Sequence, residues 1–293
     1  MQANSSSGEI DPQLSQAALD TAVVAAQAAA ALIGAASPGL GSLEWIEKGA
    51  ADFVTEIDRG AEARIAEIIA TAFPDAILVA EEMTPEVTLV GEKLTFIVDP
   101  LDGTTNFLHG YPQYAVSIGV MQSSELIAAV VLSVARGDLF TARLGHGTYL
   151  NGDRVRVSSQ SSPARALIGT GFPFKNPEKL DEYIVQFAEV NRRTSGIRRA
   201  GSAALDLADV ACGRFDGFWE LVLAPWDVAA GILLIREAGG IVTDLSGAPS
   251  SVSHNSVVAG NPEIHAWLLA SLSPPASSLA TEARKHGEQR KSF

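Results

Sequence analysis

The spacing of apolar positions changes several times along the 293-residue chain, and each change marks an element. From about 13 to 36 apolar residues recur at helical spacing, and the run stops at Ser37-Pro38-Gly39, so a long helix is predicted there. Residues 40–51 read as a loop. "DFVTEID" (52–58) leads into an amphipathic helix over about 59–72, with Ile65, Ile68 and Ile69 on its apolar face and Pro74 beyond its end. "AILVA" (76–80) and the run 94–98 are short, continuous apolar stretches of the kind that form buried strands. Strand-like runs follow at 114–121, 125–134, 138–144 and 147–157, and Asn151-Gly152 marks a hairpin turn. The second half alternates: a strand at 166–172, a helix near 178–192, a strand at 196–199, a helix at 203–212, a strand at 216–221, a helix at 226–238, strands near 241–244 and 256–259, and a last helix at 262–272. Alternation of this kind predicts helices covering a sheet. "SSQSS" (158–162) is the expected boundary between an N-terminal α+β part, 12–158, and a C-terminal α/β part, 159–272; residues 1–11 and 273–293 are expected to be disordered.

Composition adds limits. Apolar content of 47% with 19% charged residues fits a globular protein able to bury a large core. The net charge of −13 argues against nucleic acid or an anionic membrane as a partner. An anionic small substrate stays open, because a bound cation reverses the local sign. The stretch from Ala17 to Ala36 is the nearest thing to a membrane span, but alanine is weakly apolar and Asp20 and Gln27 interrupt it, so it reads as the helix of a soluble protein. The single cysteine, Cys212, permits no internal disulfide and reads as a small buried residue. The N-terminus "MQANSSSGEIDPQ" has neither the basic nor the apolar region of a secretory signal, so a cytoplasmic location is expected.

The chemistry gathers in acids beside apolar elements. In "FIVDPLDGTTNF" (96–107) the buried run ends at Asp99 and Asp102, with Pro100 between them. Pro100 keeps Asp99 extended and suits the start of a turn, so the two carboxylates and the Leu101 carbonyl can converge as hard oxygen ligands suited to Mg²⁺. Gly103-Thr104-Thr105 would open a helix whose free N–H groups favour a phosphate. Turn chemistry with a capping Asp102 is the plain alternative. Glu81-Glu82 follow another buried strand, as metal-bridging groups or a solvated pair; Asp227 stands in the first turn of an apolar helix, as a ligand or as a dipole-favoured acid. Asp52 and Asp58 frame "DFVTEID", where they read otherwise as a loop acid and a helix N-cap. So many acids are hard to bury together without a cation, which favours a two- or three-metal phosphoryl-hydrolysis site.

"DPLDGTTNF" resembles the signature D-P-[IL]-D-G-T-[ST]-N-[FY] of the inositol monophosphatase family, and "WDVAAGILLIREAGG" resembles its second signature. "DFVTEID" and "EE" stand in the expected order, and the likeness runs from about residue 15 to 270. The resemblance implies an α+β fold, a layered αβαβα sandwich with the site between its two parts, and a homodimer. By position it implies that Glu81, Asp99 and the Leu101 carbonyl hold one metal and Asp99, Asp102 and Asp227 a second, with Glu81 also serving a third; two to three Mg²⁺ ions are expected, with lithium sensitivity. It implies that Thr104, paired with Asp58, orients and helps deprotonate the attacking water, with Glu81 also polarising it. The segment Gly103, Thr104 and Thr105 would hold the phosphate beside Asp102 and Asp227. "RRAGSAALDL" implicates Ser202 and Ala203 in substrate contact, and Glu220 matches a sugar-hydroxyl contact. Lys48 resembles a loop lysine near the metals, although its spacing to Asp52 is one residue short.

Rival phosphatase chemistries fit less well. A D-x-D-G-T nucleophile is in the wrong register here, and Cys-x5-Arg fails because Phe218 stands six residues after Cys212. No Ser-His-Asp arrangement stands out, and His109 near the motif reads as structural or solvent-facing. Sulfonucleotide phosphatases tend to depart from the "TTNF" kept here, so a small phosphorylated polyol or sugar is the expected substrate, with myo-inositol 1-phosphate foremost. Fructose-bisphosphate or histidinol-phosphate hydrolysis, and a second regulatory binding role with the transcription machinery, are the alternatives.

Overall fold

The computed structural model describes residues 10–37, 46–49, 52–83, 93–174, 176–250, 252–253 and 255–272, with backbone alone at 46–49 and 52–54. Asp11 opens the first helix, α1 (Pro12–Ala36): its carboxylate accepts from the Gln13 N–H at 2.8 Å, and Pro12 needs no partner at the first helical position. Ile10 and Asp11 therefore belong to the folded chain, which corrects the expectation of disorder through residue 11; residues 1–9 and 273–293 lie outside the described residues. Among the described residues α1 is the one helix long and apolar enough to cross a membrane. Its Ala18, Ala22, Ala25, Ala26, Ala29 and Ile33 form a buried stripe at helical spacing, packed against the next helix and a sheet, as a core helix does.

Part of the expected loop at 40–51 is a hairpin: β1 (Ile46–Gly49) pairs antiparallel with β2 (Asp52–Val54). The second helix, α2 (Glu56–Ala72), starts three residues before the expected 59, because Thr55 caps it. Thr55 Oγ1 accepts from the Ile57 and Asp58 N–H groups at 3.1 and 3.4 Å, and Asp58 Oδ2 accepts from the Thr55 N–H at 2.9 Å. Asp58 is thus inside the helix as the third residue of a capping box, not the cap itself.

Seven strands then form one sheet in chain order: β3 (Ile77–Ala80), β4 (Thr95–Asp102), β5 (Ala115–Gln122), β6 (Glu125–Ser133), β7 (Leu139–Arg143), β8 (Gly147–Leu150) and β9 (Asp153–Val155), with the short helix α3 (Thr104–Leu108) between β4 and β5. Only β3 and β4 run parallel. Asn151 and Gly152, at φ 52° and 88°, make the tight β8–β9 turn that the sequence foreshadows. The C-terminal half comprises β10 (Leu167–Thr170), α4 (Leu180–Asn191), β11 (Gly196–Arg198), α5 (Ala203–Ala211), β12 (Gly217–Leu223), α6 (Pro225–Glu237), β13 (Ile241–Thr243), β14 (Asn255–Gly260) and α7 (Pro262–Leu272). Its mixed sheet has the order β11-β10-β12-β14-β13.

Strand periodicity sorts the side chains into layers. On β4, Phe96 and Val98 join the apolar cluster under α1 and α2, whereas Ile97 joins the cluster containing α5 and α6. That second cluster also takes Phe218, Val257 and Ala259 from the C-terminal sheet, and α4 and α7 cover the sheet's far side through Tyr183, Val190, Ile264 and Leu268. The layers are therefore α1/α2, seven-stranded sheet, α5/α6, five-stranded sheet, α4/α7: an αβαβα sandwich. Glycine permits the tight central packing. A Cβ on Gly119 of β5 would lie 2.6 Å from Ala229 Cβ, and one on Gly231 of α6 would lie 2.5 Å from Leu207 Cδ1. Gly119→Val should therefore lower stability by roughly 1–3 kcal/mol through overpacking, read as an earlier midpoint in urea with the slope unchanged.

Candidate metal and phosphate site

Asp99 and Asp102 are three residues apart, and in a regular strand that spacing points side chains to opposite faces. The structure resolves this with a bulge. Asp99 pairs with Ser117 and Asp102 with Ala115, so β4 spends three steps against two on β5. The extra residue turns both carboxylates to the inner face while Leu101 goes to the outer cluster. The sequence suggests a strand ending at 98; instead pairing resumes past Pro100, which has no N–H to contribute and is tolerated at the irregularity.

Asp227 arrives from the first turn of α6, its Oδ2 accepting from the Ala224 N–H at 2.7 Å. Asp99, Asp102 and Asp227 each offer an oxygen within 4.8 Å of the others. That is close to the span of about 4 Å across an octahedral Mg²⁺ whose ligands sit about 2.1 Å away. Glu81, one residue past β3, lines the same cleft. Burial pushes the Asp99 carboxyl well above the usual aspartate range, and the charges of Glu81, Asp102 and Asp227 push it further. Asp102 is raised by burial too, opposed by hydrogen bonds from Ser202, Ala204 and Ala203. Charged oxygens held this close and this dry fit a divalent cation, which removes the repulsion and replaces the lost water.

Beside this set, Gly103 caps α3 at φ 91°, a conformation glycine adopts freely; a Cβ there would lie 2.9 Å from Gln113 O. Thr104 Oγ1 lies 3.0 Å from both Asp58 Oδ1 and Leu101 O and can donate its one proton to either. Burial raises the Asp58 carboxyl, against hydrogen bonds from Thr55 and Thr104. Asp102 Oδ2 accepts from Ser202 Oγ and, at 2.8 Å, from the Ala204 N–H, which ties the end of β4 to the start of α5. Ser202 and Ala203 line the same cleft of about 610 Å³, as do Thr105 and Glu220. The Glu220 carboxylate lies against Gly171, where a Cβ would fall 2.1 Å away. His109 is exposed, and Cys212 is half-buried rather than fully buried because it caps the end of α5. The side chains of Lys48 and Asp52 lie outside the described residues.

The model of the Inositol monophosphatase family matches residues 15–275. The chain belongs to the inositol monophosphatase family. It is thus a phosphatase, a phosphoric monoester hydrolase of a metal-dependent family. It is 46% identical over 217 residues to an inositol-1-monophosphatase of Rhizobium meliloti, covering 74% of this chain and 81% of that protein. It is 44% identical over 262 residues to the Nus factor SuhB of Pseudomonas aeruginosa, covering 88% and 97%. The inositol monophosphatase of Anabaena sp. PCC 7120 superposes with a TM-score of 0.79 at 37% identity, covering 90% and 98%. The SuhB protein of Bartonella henselae does so with 0.83 at 40%, covering 88% and 99%.

Three residues of this family member bear on the site without standing out in its sequence. Glu62 is fully buried on α2, one turn from Asp58, and its two oxygens accept from the Glu82 and Met83 N–H groups at 2.9 and 2.7 Å. It fixes the turn that carries Glu81; its sequence signal is an acid on the stripe of Asp58, Ile65 and Ile69. Asn106 Nδ2 donates to Gln113 O and Ala200 O at 2.7 and 2.9 Å, joining the two halves. Asp206 is 2% exposed, and its Oδ1 has no partner among the described residues. Burial, with the charges of Glu220, Asp102 and Asp209, raises its carboxyl well above the usual range.

Glu62→Ala should weaken Mg²⁺ binding by about 10–100-fold, as loss of a ligand's support typically does, in a calorimetric titration with the circular dichroism unchanged. Asp99 and Asp206 hold protons more tightly folded than unfolded. The folded chain therefore carries more protons above the ordinary aspartate value of 3.8, and stability without metal falls as pH rises from there. Thermal melts of metal-free protein should show this fall, and Mg²⁺ should flatten it.

Proposed function

We infer that this phosphatase hydrolyses a small phosphorylated polyol or sugar with Mg²⁺, with myo-inositol 1-phosphate as the favoured substrate. The observation that carries this reading is the convergence of Asp99, Asp102 and Asp227 beside the Thr104–Asp58 hydrogen bond. Asp99, Asp102, Asp227, Glu81 and the Leu101 carbonyl would hold two to three ions. Bound there, Mg²⁺ supplies Lewis acidity toward the attacking water and the departing oxygen.

The chain's own groups supply direction and proton transfer. Thr104 Oγ1 orients the water and, as it takes up the water's proton, passes its own to Asp58 Oδ1. The raised proton affinity of Asp58 suits it to that role. Backbone N–H groups at Gly103, Thr104 and Thr105 face the phosphate, and Ser202, Ala203 and Glu220 face the alcohol. No residue is placed as a covalent nucleophile. Lithium inhibition, a homodimer and a cytoplasmic location belong to the same reading.

Relatives named Nus factor SuhB, at 42–44% identity, favour a second role for the same chain as a regulatory binding protein. Retained partner binding in Asp102→Asn, with turnover lost, would separate the two. Asp102→Asn and Asp227→Asn should each lower phosphate release at least ~100-fold, the scale of losing one preorganised electrostatic group, with the fold intact. The assay is phosphate release from inositol 1-phosphate, fructose 1,6-bisphosphate and histidinol phosphate, with Mg²⁺ and with added Li⁺. Near-normal turnover in both variants would overturn the metal assignment.

A further inference from the structure

Among the described residues the cleft is lined by one cationic side chain and six acids. Arg199 lines it together with Glu81, Asp99, Asp102, Asp206, Glu220 and Asp227. Its guanidinium lies 5.0 Å from the Phe172 ring centroid and 5.6 Å from that of Phe174. Phe172 in turn meets Tyr183 edge-on at 5.4 Å, and Tyr183 stacks on the buried Trp219. The arginine thus rests on an aromatic ladder anchored in the core. Stacking uses the face of the guanidinium and leaves the N–H edge for hydrogen bonds.

No hydrogen bond from that edge is made among the described residues. Arg199 Nε is buried without a hydrogen-bond partner, and among the described residues no carboxylate pairs with the group. Its charge acts on Asp102 and Asp206 only through space. A buried donor without an acceptor is costly, and a planar fork of donors matches an oxyanion better than a neutral hydroxyl. Phe172 and Phe174 are 45% and 42% exposed, so the aromatic platform lies at the open mouth of the cleft, where the alcohol part of a substrate would extend.

We propose that Arg199 determines specificity by receiving a second oxyanion on the alcohol side of the substrate. The preferred esters then carry a carboxylate or another phosphate besides the phosphate that is hydrolysed. This rests on the phosphatase reading above and, within its class of small phosphorylated polyols and sugars, moves the preference from inositol 1-phosphate to an ester with a second anion.

The test compares wild type, Arg199→Gln and Arg199→Lys on three esters: inositol 1-phosphate with a neutral alcohol, 2-phosphoglycerate with a carboxylate, and fructose 1,6-bisphosphate with a second phosphate. Arg199→Gln should raise KM for one or both anionic esters at least tenfold more than for inositol 1-phosphate, with little change in kcat, and Arg199→Lys should recover part of the loss. Whichever anionic ester responds identifies the oxyanion. An equal loss on all three esters, or no loss on any, would overturn the proposal. The same esters are also titrated calorimetrically with Ca²⁺ in place of Mg²⁺. If wild type hydrolyses none of them, the phosphatase reading fails by itself. The Arg199 assignment then stands on tighter binding of an anionic ester that Arg199→Gln abolishes, and falls if that difference is missing.

Discussion

Mutual repulsion among buried carboxylates is the constraint on which the rest of this structure depends. Asp99 is buried and faces the charges of Glu81, Asp102 and Asp227. Left alone, such groups take up protons or open the fold. Held by a cation, they stay charged and close together. The fold is arranged so that the acids stay close anyway: a bulge turns two of them to one face, and a helix N-terminus brings the third.

The same groups join the two sheets. Asp102 accepts from Ser202 and Ala204 at the start of α5, and Asn106 donates across to Ala200. Beneath them α5 and α6 pack between the sheets, admitted by Gly119 and Gly231. The site is therefore assembled from both halves, and its geometry depends on central packing as much as on the motifs. Glu62 extends the same logic outward, since a buried carboxylate on α2 fixes the turn after β3 that presents Glu81.

Much of this was readable along the chain, for physical reasons. Long periodic runs such as α1 and the β5–β6 pair declare themselves, because their burial patterns repeat. The local pairing of acids with glycine and threonine at 99–105 declared the chemistry. Other features depend on partners distant in sequence. Pro100 reads as the end of a strand, yet β5 continues to pair beyond it. The start of α2 moves because Thr55 and Asp58 cap each other, and β1 with β2 lies where polarity suggested a loop. Glu62, Asp206 and Arg199 look ordinary in sequence; only the fold shows that two are buried acids and the third a stacked cation whose Nε has no hydrogen-bond partner among the described residues.

The central claim is that the acids at the end of β4 and the start of α6 form a cation site. Crystals soaked in Mn²⁺ and measured at its absorption edge test it most directly. The structure predicts an anomalous peak within coordination distance of Asp99, Asp102 and Asp227. A well-ordered map with no peak there, or with peaks only at other acids, would contradict it.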